Sequence, residues 1–110
     1  MDKTWLEMID AARAVRHDRQ VSAYISAGGV AAAVLTESGQ IYTGVCVDTS
    51  CTLGICAERN AIFNMLTRGE HRIRRVVAIG GKKILPPCGA CRELLAQLMP
   101  DDFAEIEILM

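Results

Sequence analysis

Aromatic residues are scarce in this chain of 110 residues, which has one Trp, two Tyr and two Phe. That excludes the row of stacking platforms on which a single-stranded polynucleotide is held. Charge of one sign is lacking too. Twelve Lys and Arg stand against thirteen Asp and Glu, a formal net charge of −1, so nothing draws the chain as a whole toward nucleic acid or an anionic membrane. The densest basic stretch, His71-Arg72-Ile73-Arg74-Arg75 with Lys82 and Lys83 beyond, reads as a solvated loop and strand edge rather than a phosphate patch. No apolar run is long enough to cross a bilayer as a helix. Met1-Asp2-Lys3-Thr4 lacks the basic segment and apolar core of a secretory signal. No internal repeat or low-complexity segment stands out. The expectation is one cytoplasmic domain over residues 1–110, with no membrane and no nucleic-acid polymer as partner. Apolar residues make up 51% of it, enough for a packed core.

What the chain does have is cysteine. Five thiols in a reducing compartment read as metal ligands or free thiols before disulfides, and the odd count fits three ligands plus two others. Three of them fall in two short motifs, Cys56-Ala57-Glu58 and Pro87-Cys88-Gly89-Ala90-Cys91, and each motif opens an apolar run. Both sit at predicted helix starts, where unpaired N–H groups and partial positive charge favour thiolate over thiol. Cys88 and Cys91 lie three positions apart, so one helical turn can present both to a metal. Pro87 pre-shapes the entry and needs no N–H donor there.

Three thiols and a carboxylate are the inventory for a tetrahedral zinc ion with one open position and an adjacent proton carrier. Glu58 is still in the first turn and can face that open position without ligating. Three thiolates leave the centre negative, and Arg59 is the candidate to offset it through hydrogen bonds to sulfur; Arg92 is a second. The competing reading is a closed structural zinc with Cys51 as fourth ligand, which gives Glu58 no task. Otherwise Cys46 and Cys51 are small residues at a strand end and in a loop. His17 and His71 read as surface side chains.

Hydrophobic periodicity places the motifs. Thr4-Trp5-Leu6-Glu7 resembles a capping box, and Trp5, Met8, Ile9, Ala12 and Val15 recur at helical spacing, predicting a helix from about Thr4 to Arg19. Trp5 reads as core or subunit contact. Ser26 to Gly29 reads as a loop. Val30–Leu35 is an apolar run suited to a strand covered on both faces, paired as a hairpin with Ile41–Val47 across Glu37-Ser38-Gly39-Gln40. A loop through Asp48 leads to a helix from about Cys56 to Arg68. A strand over Arg74–Gly80, a connector over Gly81–Pro87, a helix from about Cys88 to Met99 and a strand over Phe103–Leu109 complete the order α-β-β-α-β-α-β. A hairpin followed by two crossovers predicts an α/β fold with a mixed sheet and helices on its faces.

Cys56-Ala57-Glu58-Arg59-Asn60-Ala61-Ile62 together with Pro87-Cys88-Gly89-Ala90-Cys91-Arg92 resembles the small cytidine deaminases, and blasticidin-S deaminases share the general pattern. The hairpin Leu35-Thr36 to Ile41-Tyr42-Thr43-Gly44 is similar as well. The resemblance implies a three-layer α-β-α fold and usually a homotetramer, with a dimer as the alternative. It implies zinc on Cys56, Cys88 and Cys91, Glu58 as proton shuttle, Arg59 on the ligand sulfurs, and hydrolytic deamination of an aminopyrimidine with release of ammonia. Backbone near Ala57 and Pro86 is expected to read the base edge.

Three departures stand beside it. Gly28 occupies the place where the family carries a Phe against the base. Cys46-Val47-Asp48 stands where an Asn-x-Glu holds the ribose; Asp48 can still accept a hydroxyl hydrogen bond, whereas Cys46 is a poor substitute for an amide. The residues also end at Met110, where the family continues into a further strand. The expected substrate is therefore cytidine or deoxycytidine, with blasticidin S, a free nucleobase, or a non-catalytic zinc domain as alternatives.

Overall fold

The computed structural model describes all 110 residues. Its first helix, α1, spans Lys3–Val15. Asp2 caps it: its carboxylate accepts from the Trp5 N–H at 3.0 Å, so the cap falls two residues before the capping box expected at Thr4. The helix also ends four residues before the expected Arg19. Arg16 turns extended and its Nε donates to the Gly29 carbonyl at 2.8 Å, and the chain passes into a two-residue strand, β1, at Arg19–Gln20.

Next come β2 (Ile25–Thr36) and β3 (Ile41–Thr49), paired antiparallel. The segment expected as a loop, Ser26–Gly29, belongs to β2. Between Ala27 and Ala31 the pairing slips in a bulge, with Gly28 at a φ of 86°. A Cβ there would stand 2.1 Å from the His17 carbonyl oxygen, so neither the backbone nor the space admits a Phe. The chain continues through α2 (Ala57–Thr67), β4 (Ile73–Gly80), β5 (Lys83–Leu85) and α3 (Gly89–Leu98). A 3₁₀ turn at Phe103–Glu105 and a two-residue strand, β6, at Glu107–Ile108 follow. The expected connector thus contains β5, and the expected last strand is mostly a turn, because the Glu105 N–H bonds the Asp102 carbonyl at 3.0 Å.

β2 sits between β3 and β4. The far edge of β4 takes β5 antiparallel along Ala78–Gly80 and β6 parallel at Arg75 and Val76. The sheet is mixed, as expected. Alternation along its two central strands divides the core. Ala31, Ala33, Val77 and Ile79 pack with Trp5, Met8, Ile9 and Ala12 of α1. Ala32, Val34, Val76 and Ala78 pack under α2 and α3 against Ile62, Met65, Leu95 and Met99. The continuous apolar runs exist because each face carries a helix layer. No helix is long and apolar enough to cross a membrane.

Candidate active site

Both cysteine motifs stand at helix N-termini on the same face of the sheet. Cys56 and Cys88 are the N-caps of α2 and α3, one position before the first helical residue. Each start is fixed by local geometry. The loop before Cys56 returns along the outer edge of β3, where Val47 and Ile55 exchange both backbone hydrogen bonds at 2.9 Å. Gly54 permits this return, since a Cβ on it would lie 2.6 Å from the Val47 carbonyl oxygen. From there α2 lies directly on β3. Asn60 and Asn64 donate side-chain N–H to the carbonyls of Val45 at 3.0 Å and Thr43 at 2.7 Å. Between those carbonyls, a Cβ on Gly44 would stand 2.3 Å from the Ala61 nitrogen. The second start, at Cys88, follows the β4–β5 hairpin and Pro86-Pro87.

This brings three sulfurs together. Cys56 Sγ lies 3.3 Å from Cys88 Sγ, Cys88 Sγ lies 3.3 Å from Cys91 Sγ, and the three fall within 4.8 Å of one another. A tetrahedral ion with zinc–sulfur bonds of about 2.3 Å needs sulfurs about 3.8 Å apart, so the cluster fits Zn²⁺ with little adjustment. Arg59 sits beside it, its Nη2 donating to Cys56 Sγ at 3.5 Å. Arg92 is solvent-exposed on α3. Cys51 is outside the sulfur cluster, with its Sγ 3.6 Å from Thr49 Oγ1.

The electrostatics are uneven. Burial pushes the Cys91 thiol well above its ordinary range, and the neighbouring Cys88 sulfur and Glu58 carboxylate add to the rise. Burial also pushes Cys88 upward, but the N–H groups of Cys91 and Ala90 at the start of α3, with the Cys56 and Cys91 sulfurs, outweigh it and hold that thiol low. Glu58 is 6% exposed. Burial raises its carboxyl above the usual range, opposed by its own N–H and by Arg59. Apart from that N–H, no group is placed to donate to it.

Cys56, Cys88, Glu58 and Arg59 line one cavity of about 590 Å³, with Cys91 buried behind it. Its wall holds Cys56, Cys88 and Glu58, and with them Ala57, Pro86, Cys46 and Asp48. Cys46 takes the Val30 N–H on its sulfur at 3.3 Å, and its own sulfur lies 3.8 Å from Asp48 Oδ2. Asp18 also lies in this wall, although hydrophobic periodicity places it in the last turn of the first helix. The adjacent Gly28-Gly29 pair, a common mark of a bulge, was the available signal that the chain turns there.

A model of the cytidine and deoxycytidylate deaminase zinc-binding region matches residues 6–104. The chain belongs to this deaminase family. Among relatives, a cytidine deaminase of Halalkalibacterium halodurans is 36% identical over 75 residues, covering 66% of this chain and 57% of that one. A blasticidin-S deaminase of Bacillus cereus is 30% identical over 89 residues, 72% of this chain and 64% of its own. The aligned part is thus somewhat more than half of those two relatives' length. The crystal structure of a cytidine deaminase from Mycobacterium leprae superposes with a TM-score of 0.80 at 30% identity, covering 99% of this chain and 89% of that one. The deaminase fold therefore extends over nearly the whole chain, including the three-cysteine cluster.

Proposed function

We propose that the chain is a zinc-dependent hydrolase that deaminates a cytidine-like aminopyrimidine to the corresponding oxo compound and ammonia. The observation that carries this reading is Glu58: a nearly buried carboxylate with no partner side chain, in the wall of the cavity that the thiol cluster also lines. A closed structural centre has no use for it.

Cys56, Cys88 and Cys91 would hold the metal, and Arg59 would compensate the charge of the three thiolates. A bound zinc ion supplies Lewis acidity that makes water ionise near neutral pH. The protein does the rest. Glu58 accepts a proton from the water that attacks the amino-bearing ring carbon and delivers it to the adjacent ring nitrogen. It then carries the second proton to the departing amine, which leaves as ammonia. Backbone at Ala57 and Pro86 orients the base, while Asp48, with Cys46 beside it, faces the ring substituent. The family membership supports a homotetramer or dimer in the cytoplasm, which light scattering on the purified protein tests.

Ammonia release from cytidine, deoxycytidine, cytosine, 5-methylcytosine and blasticidin S, with Glu58→Gln alongside, tests the reaction. Turnover abolished in the variant, at unchanged zinc content, is the expected result. Silence of the folded, zinc-loaded parent across the panel refutes it.

A further inference from the structure

The charge of the cavity is the feature that the reaction does not use. Its floor is Glu58 beside the sulfurs, and its exposed wall adds two further carboxylates, Asp18 and Asp48. Both stand near the β2 bulge, on opposite sides of the Gly29-Val30 segment. The Asp18 carboxyl carbon and Oδ1 lie 3.4 Å from where a Gly29 Cβ would be. The next residue, Val30, donates to Cys46 Sγ, which in turn lies 3.8 Å from Asp48 Oδ2. Arg59 is the one basic side chain in the wall, and it is engaged by Cys56. The cations nearest Asp18 in sequence are outside it. Arg16 donates to the Gly29 carbonyl, and Arg19 to the His17 carbonyl at 2.9 Å. A ring bound at Glu58 therefore shares its cavity with two further acids, while the one basic side chain in the lining, Arg59, is bonded to Cys56.

We propose that Asp18 and Asp48 select an amino-heterocycle whose ring substituent is positively charged and turn away one that ends in a phosphate. The proposal rests on the deaminase reading and adds Asp18 to it as a specificity-determining residue. Opposite charge at the mouth raises the local concentration and the binding of a cation, and like charge lowers both, each weakened by salt.

Three substrates that differ at one position provide the test: 5′-amino-5′-deoxycytidine, cytidine and cytidine 5′-monophosphate, carrying ammonium, hydroxyl and phosphate. Deamination kcat/KM at pH 7 is expected to fall in that order by roughly fivefold per step at low salt. The steps shrink as salt is raised, and collapse to within about twofold in Asp18→Asn/Asp48→Asn, with each single variant between. Both residues are exposed, and circular dichroism checks that the variants fold. Turnover of cytidine with no preference for the amine over the phosphate, or a preference that survives in the double variant, overturns the proposal. If none of the three is turned over, the five-substrate panel judges the deaminase reading separately. Calorimetric binding of the same three to the zinc-loaded protein then decides: amine-first binding that Asp18→Asn weakens upholds the selection, and equal or absent binding overturns it.

Discussion

Gly44→Ala is expected to loosen the metal centre from the far side of a helix. The added Cβ would lie 2.3 Å from the Ala61 nitrogen, 2.7 Å from the Asn60 carbonyl carbon and 2.9 Å from the Ala57 carbonyl oxygen. All three are backbone atoms, so no side chain can swing aside. Ordinary contact requires α2 to retreat from β3 by about 1 Å. Overpacking of this kind costs about 1–3 kcal/mol, a fall in Tm of about 5–15 °C for a chain of this size. The retreat also stretches the Asn60 and Asn64 hydrogen bonds to β3 and carries Cys56 and Glu58 with it, while Cys88 and Cys91 stay on α3. Zinc affinity should therefore drop on the order of tenfold. Thermal melts and competition with a chromophoric chelator measure the two effects. Gly89→Ala is the control, because nothing lies within 4 Å of its added Cβ and its φ is not in the left-handed region. A Gly44→Ala protein that melts within a degree of the parent and binds zinc equally would refute the idea that this contact sets the position of Cys56.

Two other perturbations follow from the structure. Removing zinc with a chelator, or replacing the buried Cys91 by Ser, should lower Tm and leave less than one zinc per chain by metal analysis; because burial holds Cys91 protonated until a metal arrives, loading should release protons that an indicator dye reports, and affinity should weaken as pH falls. Asp2 is held at a pKa of about 2 by its hydrogen bond to Arg75 and by the Trp5 N–H. Its folded value lies below its ordinary one, so its stabilisation is complete above about pH 4 and is lost as pH falls through about 2. Acid-unfolding curves of Asp2→Asn should therefore start lower than the parent's at pH 5 and converge with it near pH 2; curves that stay parallel would refute the assignment.

The parts of the fold that read clearly from sequence are those with a local, repeated signal. Val30–Leu35 and Arg74–Gly80 are apolar on both faces because helices cover both, and α1 carries its stripe at helical spacing. The cysteine cluster was legible for the same reason: Cys56 and Glu58 sit two residues apart and Cys88 and Cys91 three, each pair at a helix start, so spacing fixes their direction. What failed depended on distant partners. β5 exists because Gly81, at a φ of 62°, folds Lys83–Leu85 back onto β4. Asp18 reaches the cavity only because the Gly28 bulge and the Arg16 contact with Gly29 draw the end of α1 across it. Ile106 and Ile108 alternate with Glu105 and Glu107 as a strand should, yet only Glu107 and Ile108 find a neighbour to pair with.

Arg75 has a use in the laboratory. Its guanidinium lies 4.6 Å from the ring centroid of Trp5. It also takes Asp2 on Nη1 at 2.9 Å and Glu107 on Nε at 3.4 Å. Residues 105 positions apart in sequence thus meet on one side chain of β4, against the one tryptophan in the chain. The molecule carries its own optical gauge: indole emission should respond when either the first helix or β6 comes away from the sheet, without any label being attached. Followed in a denaturant series beside far-ultraviolet dichroism, it separates detachment of these two outer segments from collapse of the whole.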